Sequence, residues 1–399
     1  MTMQTTTYTR RLSLSELAPR VVQSEIRAMT AECDRMGGVN LAQGVCDTEV
    51  PAVVMEGAMR AMREGHNIYT RMDGIQRLRR AIAEQLQRTH GLEVDAEREV
   101  LVASGATGAF HAAAMALLNP GDEVLLFEPF YGYHVSTLRS MKVKAVAVSL
   151  QAAGWGLDLG AVRAAITEKT RAMVVNTPSN PAGKVFTRAE LEGLAAIAAE
   201  FDLFVFTDEI YEHFVYGGAE HVSPLELAGM RERTILMSGF SKTFSVTGWR
   251  VGYLVADAKW MGAINYFHDL LYVCAPAPFQ HGCAAGLEQL GKTFYARLAV
   301  EHELKRGMLV DALRVAGMDP HVPDGAYYIL ASTAGAGLEG ATAAARARDL
   351  LRKTGVASVA GSAFFAPGSG KGEELLRFCF AKKDEELREA CRRLVGAGR

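Results

Sequence analysis

The sequence predicts an α/β protein with a large domain built on a mostly parallel seven-stranded sheet flanked by helices, and a second, smaller domain. Two observations lead to this class. Short apolar runs with strand character recur through the middle of the chain and are separated mostly by segments of helical length, which is typical of parallel sheets covered by helices. The C-terminal part instead mixes helices with short strands, which indicates a different architecture.

The strand-like runs are predicted from apolar and β-branched residues bounded by turn residues. They are Glu99–Ala103, Glu123–Phe127, Val143–Val148, Arg171–Asn176, Leu203–Thr207, Thr234–Met237 and Val251–Val255. The helices are predicted from apolar spacing and from turn signals at their ends. They are Ser24–Arg35, Pro51–Gly65, Ile75–His90, Ala109–Leu118, Arg188–Glu200 and Thr293–Val315. Ligands of such sheets bind in loops beyond the carboxyl ends of the strands, so the polar residues there are the first candidates for a site.

Length and charge narrow the class of function. A chain of 399 residues, 49% apolar, exceeds the size at which a single core usually stops growing, so we expect two domains. The formal net charge of −2 gives no basic footprint for nucleic acid or an anionic membrane. No apolar run approaches the ~20 residues of a membrane span, and Met1–Arg11 is polar where a signal peptide would be apolar. We expect a cytoplasmic protein that binds neither nucleic acid nor membrane.

The cysteines give no sign of a metal centre. Six of them are scattered along the chain with no C-x-x-C pair and no histidine at metal-ligand spacing: Cys33, Cys46, Cys274, Cys283, Cys379 and Cys391. We interpret them as small buried hydrophobic residues in the reduced state. A catalytic thiol stays open for any one of them, without a neighbour that supports it.

Lys242 lies where a solvated lysine has no obvious purpose, between two strand-like runs. A lysine amine becomes a nucleophile toward aldehydes when its pKa falls, and small neighbours such as Gly239 and Ser241 leave room for a bulky cofactor. Arg250 follows eight residues later and can hold an anion if the loop folds back. The alternative is a loop lysine and a surface arginine. The rest of the chain has to decide between the two.

A strand, a glycine-containing turn and a helix follow one another around Ser104–Gly108. This geometry suits a phosphate, because the first amides of a helix are unpaired and its dipole favours an anion. The candidate groups are the amides of Gly105, Ala106 and Thr107, with the Thr107 hydroxyl as a further donor. An ordinary helix cap explains the same residues, since the G-K-[ST] of a P-loop is missing.

Further candidates follow the other strands. Tyr131 belongs to an aromatic cluster that is either core or a face for a planar ring. Asn180 lies between two prolines that fix its loop. Asp208 is either a helix N-cap or the counter-charge of a cationic ring nitrogen, and Tyr211 is three residues further on.

Three more residues are candidates for contacts with a substrate or cofactor. Tyr69 is on a predicted loop, and Gly44 allows a backbone to approach a ligand closely. Arg377 has apolar neighbours in a strand pattern, so we expect it to be buried. A buried guanidinium needs an anionic partner, and none is adjacent in sequence. Its partner is therefore either a distant carboxylate or a bound ligand.

Taken together, five motifs resemble in order and spacing the class I/II aminotransferases of the fold-type I pyridoxal-phosphate enzymes. They are Ser104–Thr107, Asn180–Gly183, Asp208–Tyr211, Ser238–Arg250 and Arg377. The resemblance spans most of the chain. It is closest to the branch of the kynurenine, glutamine, methionine and N-succinyldiaminopimelate aminotransferases, by Glu128–Tyr131, Thr247–Arg250 and Ser362–Phe364.

The resemblance implies a role for each candidate. Lys242 would bind pyridoxal phosphate covalently and carry a proton at the substrate Cα, with Asp208 on the pyridine nitrogen and Tyr211 as the third catalytic residue. The cofactor-binding set would be Gly105, Ala106, Thr107, Tyr131, Asn180, Asp208, Tyr211, Ser241, Lys242, Arg250 and, from the neighbouring subunit of a homodimer with shared active sites, Tyr69. Gly44, Asn180 and Arg377 would bind the substrate α-carboxylate.

The resemblance also implies how the domains divide. Residues 1–47 would form an N-terminal arm and part of the small domain, 48–300 the large cofactor-binding domain, and 301–399 the rest of a small domain built from both termini.

The chain departs from the pattern of this family at two positions. Relatives often have serine where this chain has Gly239, so Ser238 or Ser241 would have to serve as phosphate donor. Many have Phe-Pro within the segment Val45–Asp47, beside the substrate.

Other functions remain open at this point. The leading hypothesis is an aminotransferase that works by a ping-pong mechanism on an L-2-amino acid and a 2-oxo acid. A β-lyase or an aspartate-type aminotransferase on the same fold is the alternative. A non-enzymatic binding protein is disfavoured by the intact lysine, and an NAD-type enzyme by the missing G-x-G-x-x-G. No second arginine can be identified that would read a side-chain carboxylate, which favours neutral or aromatic donors. Tyr133, Tyr272 and Tyr328 are candidates for lining an apolar pocket.

Overall fold

The computed structural model describes residues 12–15, 18 and 25–397, and the predicted arm Met1–Arg11 lies outside them. The helices are α1 Glu25–Arg35, α2 Ala52–Arg63, α3 Gln76–His90, α4 Gly105–Leu117, α5 Gly132–Ser140, α6 Leu159–Ala164, α7 Arg188–Glu200, α8 Phe240–Thr243, α9 Ala258–Tyr272, α10 Ala277–Gln289, α11 Lys292–Val315, α12 Ala343–Thr354 and α13 Asp384–Ala397. The strands are β1 Val39–Asn40, β2 Val100–Ala103, β3 Glu123–Glu128, β4 Lys144–Ser149, β5 Thr170–Asn176, β6 Phe204–Asp208, β7 Thr234–Gly239, β8 Gly252–Val255, β9 Asp319–His321, β10 Tyr328–Ser332, β11 Val356–Ala357, β12 Val359–Ala360 and β13 Leu375–Cys379.

The central sheet has seven strands in the order β2-β8-β7-β6-β5-β3-β4. The neighbours from β7 to β4 pair in parallel, and β8 runs antiparallel to both β2 and β7. The prediction of a mostly parallel seven-stranded sheet is confirmed. Strands β2, β3, β6, β7 and β8 are buried along their whole length, because helices cover both faces of the sheet.

A second, antiparallel sheet has the order β12-β13-β10-β9 and belongs to the C-terminal part of the chain. Beside it β1 pairs in parallel with β11, through Val39 with Val356 and Asn40 with Ala357. This pairing places the segment just before Gly44 next to the C-terminal strands. The domain boundaries after residues 47 and 300 stay a prediction, and the second of them falls within the continuous helix α11.

Helix α4 begins earlier than the sequence indicated. We predicted a turn over Ser104–Gly108 and a helix from Ala109, whereas the helix starts at Gly105, directly after β2. Gly105 has φ +69°, a conformation that costs little only for glycine, and it turns the chain sharply from strand into helix. The amides of Ala106 and Thr107 therefore belong to the first helical turn.

The strand ends bring the polar candidates together. Asn176 ends β5 and Asp208 ends β6, and the two residues are direct partners in the ladder. Strand β7 ends at Gly239, three residues before Lys242. Residues from three neighbouring strands thus meet at one edge of the sheet, as expected for ligand sites of this architecture. In the described part of the chain, no helix has the length and apolar character needed to cross a bilayer.

Candidate active site

A cavity of about 550 Å³ opens at the carboxyl edge of the sheet. Its walls come from strand ends of the large sheet, from the segment around Gly44 and from β13. The predicted site residues that line it are Gly44, Ala106, Thr107, Tyr131, Asn180, Asp208, Tyr211, Ser241, Lys242, Arg250 and Arg377. Gly105 lies beside this set at the start of α4. Of the predicted cofactor- and substrate-binding residues, Tyr69 is the one that lies away from the cavity within the described chain.

Lys242 is held in the wall of this cavity by the short helix α8. Its Nζ donates a hydrogen bond to the Gly44 carbonyl at 3.0 Å and lies 5.7 Å from the ring centroid of Tyr327. Burial disfavours the ammonium form and, with the positive charges of Arg250 and Arg377 nearby, lowers the pKa of Lys242 from 10.5 to about 8. A larger fraction of the amine is therefore neutral and nucleophilic at neutral pH.

Asp208 is paired with a histidine that the sequence analysis did not single out. Its Oδ2 lies 3.0 Å from His134 Nε2, and its Oδ1 accepts a bond from the Ile210 amide at 3.3 Å. The residues after Asp208 form turns, so the N-cap alternative lacks its helix. The His134 ring packs against Phe110, with ring centroids 4.7 Å apart, and this contact fixes its orientation. The aromatic cluster around Tyr131 was the only sequence signal for it.

Arg377 is buried, with 1% of its surface exposed, and its contacts are neutral. Its guanidinium donates to Asn180 Oδ1 at 3.0 Å and to the Ala42 carbonyl at 2.5 Å, and its carbon lies 4.4 Å from the ring centroid of Tyr328. The Nε has no hydrogen-bond partner among the described residues, and no carboxylate lies within ion-pair distance there. A buried charge held only by neutral groups favours an anion from the cavity.

The start of α4 is open to a phosphate. Its N-cap residue, Ser104, makes no side-chain cap, so that side chain leaves the first-turn amides free. Arg250, which has φ 55°, lies over this turn: a Cβ added to Gly105 would come within 2.5 Å of its Nη2. The guanidinium donates to the Thr247 carbonyl at 3.1 Å, which holds it in place. Glycine is therefore favoured at residue 105 by its backbone angle, and its missing side chain leaves room for the arginine.

Tyr211 and Gly44 meet at Tyr328. The Tyr211 hydroxyl lies 2.9 Å from that of Tyr328, and burial raises the pKa of Tyr211 well above 10, so it stays a neutral hydrogen-bonding group. A Cβ on Gly44 would fall 2.0 Å from the Tyr328 hydroxyl, which only glycine avoids. Tyr131 stacks on Tyr133 with ring centroids 5.3 Å apart, so one aromatic pair forms part of the wall.

The two departures from the related sequences have different outcomes. A Cβ on Gly239 would lie 2.8 Å from the Gly252 Cα of the paired strand, so serine does not fit there without a shift. Ser238 donates to the Glu212 carboxylate at 3.0 Å and is outside the lining, which leaves Ser241 as the serine in the cavity. Of the segment Val45–Asp47, the cavity lining includes Val45.

A buried polar network supports the segment that carries Asp208 and Tyr211. The Glu212 carboxylate accepts hydrogen bonds from Ser238 of β7 and, at 3.3 Å, from Tyr253 of β8, and it lies 3.2 Å from His90 Nε2. Burial alone would lower the pKa of His90, but its hydrogen bonds to Glu212 and Glu226 raise that pKa to about 10. The network ties β7 and β8 to the residue after Tyr211, and its partners are too far apart in sequence to be predicted.

Other lining residues also escaped the sequence analysis. The cavity includes Arg27 of α1 and Thr137 of α5, and it includes the predicted aromatic residues Tyr133 and Tyr328 but not Tyr272. The sequence identified no second arginine that would read a side-chain carboxylate, and the structure places Arg27 in the lining. Nothing in the polar context of α1 distinguished Arg27 from a surface residue. Tyr69 is 78% exposed on the loop after α2, and its contact with a neighbouring subunit stays a prediction.

The donor set fits pyridoxal phosphate. A partly neutral lysine can form the covalent bond, Asp208 offers a negative charge for a cationic ring nitrogen, and the α4 amides with Arg250 offer a phosphate site. The fold and the site together therefore define a pyridoxal-phosphate enzyme.

The chain belongs to the family of aminotransferase class I and II, whose model matches residues 37–394. It is 36% identical to a probable N-succinyldiaminopimelate aminotransferase of Mycobacterium tuberculosis, covering 96% of this chain and 98% of the relative. It is 32% identical to the methionine aminotransferase of Escherichia coli, over 94% and 96%. The solved structure of the N-succinyldiaminopimelate aminotransferase from M. tuberculosis matches with a TM-score of 0.92 and 36% identity, over 97% of this chain and 100% of that chain. The predictions of an aminotransferase, a pyridoxal-phosphate cofactor and a fold-type I architecture are confirmed.

Proposed function

We propose that the protein moves the amino group of an L-2-amino acid to a 2-oxo acid in a ping-pong cycle. The observation that carries the proposal is the buried Arg377, which faces the same cavity as Lys242 and has only neutral partners. Both substrates carry an α-carboxylate, and a planar guanidinium binds that group with two parallel hydrogen bonds. Bound pyridoxal phosphate supplies the carbonyl that receives the amine and the ring that accepts electrons from Cα.

The chain's own residues then have separate tasks. Lys242 would anchor the cofactor and, once released, accept the proton from Cα of the amino acid; in the second half-reaction it would donate a proton to Cα of the former 2-oxo acid. Asp208, which pairs with His134, would stabilise a protonated ring nitrogen, and Asn180 and Tyr211 would bind the ring oxygen. The remaining residues of the predicted set bind the other parts of the cofactor. Tyr131 packs on the ring face, and the phosphate is held by Gly105, Ala106, Thr107, Ser241 and Arg250.

A half-reaction screen tests the proposal. The purified holoenzyme is mixed with single amino acids, among them L-methionine, L-kynurenine and L-glutamate. Two quantities are followed: the loss of the absorbance band of the lysine-bound cofactor, and the amount of 2-oxo acid released. One 2-oxo acid per active site, and recovery of the starting spectrum with an added 2-oxo acid, is the expected result. Release of ammonia and pyruvate from a cysteine conjugate, without that stoichiometry, would instead indicate the β-lyase alternative.

The aromatic pair Tyr131 and Tyr133 supports neutral or aromatic substrates within a broad range. Relatives named for different donors, such as methionine and kynurenine, are consistent with breadth in this family. We also propose that the enzyme works in the cytoplasm, where free cysteines such as Cys33, Cys283 and Cys379 stay reduced.

We propose a homodimer with shared active sites. A row of large apolar side chains is exposed on the loop after α2 and at the end of α9: Ile68, Tyr69, Met72, Leu270, Leu271, Tyr272 and Val273. This face adjoins the site, because Tyr272 packs 3.3 Å from the position of a Cβ on Gly108 in the first turns of α4, and His268 accepts a bond from the Ser104 amide at 3.1 Å. An exposed apolar face of this kind marks an interface. Analytical ultracentrifugation at micromolar protein concentration should give a molecular mass twice that of the chain. A monomer mass would refute the proposed homodimer.

A further inference from the structure

We propose that Cys46, Thr48 and Ser245 position the catalytic lysine: hydrogen bonds among their side chains fix the Gly44 carbonyl as the acceptor for the Lys242 amine whenever that amine is not bonded to the cofactor. These three side chains are called the thiol–hydroxyl triangle below. The inference rests on the proposed amino transfer, because it concerns the residue that moves the proton in that reaction. None of the three lines the cavity, so they act through Lys242 and not by contact with a ligand.

The thiol–hydroxyl triangle joins two distant segments of the chain, since Ser245 lies 199 residues after Cys46. Thr48 Oγ1 lies 2.6 Å from Ser245 Oγ, and Cys46 Sγ lies 3.3 Å from each of these two oxygens. Each of the three groups has one hydrogen to donate and can also accept, so three hydrogen bonds can close a ring in which every donor has a partner. Cys46 is 2% exposed, so the ring is closed to water on the side of the thiol.

Ser245 carries the effect of the triangle to the backbone of Lys242. Lys242 belongs to the short helix α8, and the Ser245 amide donates to the Lys242 carbonyl at 3.2 Å. Ser245 has φ 56°, a left-handed conformation that a residue other than glycine keeps only where its surroundings hold it. Its side-chain contacts with Thr48 and Cys46 provide that support. Losing them would let this turn relax and would shift Lys242 with it.

The other side of the triangle fixes the segment 44–48. Within this segment the Gly44 carbonyl accepts a hydrogen bond from Lys242 Nζ at 3.0 Å. The segment is also tied to the chain after β13, because Asp47 pairs with the buried Lys382 at 3.2 Å. The side chain and the backbone of Lys242 are therefore both held by the same five residues.

A neutral acceptor suits a lysine that has to take up and release a proton. The Gly44 carbonyl orients the amine but does not take its proton, and by accepting a hydrogen bond it favours the ammonium form. If the triangle is broken, the carbonyl is free to move away from the amine. The ammonium form of Lys242 then loses its acceptor, and the proton transfer at Cα loses its alignment.

The triangle includes one of the two departures from the related sequences. Many relatives have Phe-Pro within the segment Val45–Asp47, where this chain has Cys46. Neither phenylalanine nor proline has a side-chain donor or acceptor, so the complete triangle is a feature of the sequence of this chain. The sequence analysis interpreted Cys46 as a small buried hydrophobic residue, and the structure adds its polar contacts.

Variants that remove single hydroxyls test the triangle with two measurements. Thr48→Val removes a hydroxyl at nearly equal volume, and in the holoenzyme it should lower kcat by roughly 10-fold while KM stays within about twofold. In the apoprotein, capture of pyridoxal phosphate should level off at a pH roughly 0.5 to 1 unit lower than in the parent, because the ammonium form loses its acceptor. Ser245→Ala should have the same effects. The double variant should be no slower than the slower single variant, since both changes remove the same contact.

Conservative variants and a control separate positioning from folding. Thr48→Ser and Cys46→Ser keep a hydrogen-bonding group and should retain most of the rate, whereas Cys46→Ala should lose less than Thr48→Val because a thiol is a weak donor. Thr354→Val is the matched control. Its hydroxyl is half-buried and donates to the Leu350 carbonyl at 2.7 Å in α12, outside the cavity lining, so its loss should change neither measurement.

The outcomes distinguish the triangle from the function on which it rests. An unchanged kcat and an unchanged capture pH in Thr48→Val would overturn the triangle while leaving the proposed amino transfer intact, even if Ser245→Ala does not fold. A fall in kcat that follows a lower melting temperature, with the capture pH of the parent, would also overturn it, because the three side chains would then only stabilise the fold. Absence of a half-reaction with every amino acid in the parent enzyme would overturn the proposed amino transfer itself.

Discussion

The inner and outer walls of the cavity differ in how their charges are satisfied. On the inner wall, at the strand ends, Asp208 is paired with His134, Tyr211 with Tyr328, and Lys242 with the Gly44 carbonyl. From the buried Arg377 out to the exposed Arg27 of the outer wall, the described residues give neither arginine a carboxylate partner. The inner wall is preorganised by the protein for a group that stays. The outer wall keeps positive charge for substrates that enter and leave.

The two walls also differ in the hydrogen bonds that hold them in place from behind. Behind the inner wall, Glu212 links β7 and β8 through Ser238 and Tyr253, and His90 closes the network from α3. The outer wall is assembled from segments far apart in sequence, with Arg27 from α1 and Tyr133 from α5. Substitutions on the inner wall should therefore affect every substrate, and substitutions on the outer wall should sort substrates by their charged groups.

Replacing Lys242 gives the largest expected effect. Lys242→Ala should lower kcat by roughly five orders of magnitude or more, on the scale of losing a covalent nucleophile, while the protein stays folded. Borohydride reduction followed by peptide mass mapping should fix the cofactor at Lys242 in the parent and nowhere in the variant. The exposed Lys259→Ala serves as control and should keep both labelling and turnover. Covalent labelling of Lys242→Ala would show that another lysine is the anchor.

Replacing Asp208 tests whether the inner wall does more than hold the fold. Asp208→Asn should slow proton transfer at Cα by roughly a thousandfold, about 4 kcal/mol, because an amide cannot stabilise a cationic ring nitrogen. The primary isotope effect with Cα-deuterated substrate should rise, since that step becomes slower. His134→Gln keeps the carboxylate and should cost much less. Near-normal turnover of Asp208→Asn would reduce Asp208 to a structural residue.

Replacing Arg377 separates a substrate clamp from a structural arginine. Arg377→Lys keeps the charge but loses the planar fork, so kcat/KM should fall by about 3 kcal/mol, or roughly 100-fold, for donors and oxo acids alike. The melting temperature should change little, and amines without a carboxylate should react no worse than with the parent. A collapse of the melting temperature with unchanged kinetics in the surviving enzyme would make Arg377 a core residue.

The pH dependence of cofactor capture gives the smallest effect. The neutral amine of Lys242 is the nucleophile, so apoprotein capture of pyridoxal phosphate should speed up about tenfold per pH unit and level off near pH 8, where its pKa lies. The folded-state pKa is below the unfolded value of 10.5, so the unfolded chain binds more protons between about pH 8 and 10.5, and the apoprotein should gain stability as pH rises through that window. Stopped-flow absorbance measures capture, and a plateau only near pH 10.5 would contradict the effect of burial.

The sequence alone determined the local features of this protein. The apolar runs and helix signals predicted the strands of the large sheet to within a few residues, and helix α7, with a capping box between Thr187 and Glu190, has the predicted bounds. These features depend on neighbours in the chain and on a period of two or 3.6 residues. The lysine, the aspartate and the buried arginine were identified for the same reason, since each is unusual beside its own neighbours.

Only the tertiary structure decided which distant groups meet. The antiparallel insertion of β8 between β2 and β7, the contact of His134 with Asp208 and the position of Arg27 in the cavity join residues separated by tens to hundreds of positions. Such contacts depend on how whole layers pack, and many arrangements share the same local pattern. The sequence thus predicted the strands of the large sheet and most of the candidate residues of the inner wall. The charge left for the substrate became visible only once the outer wall was assembled.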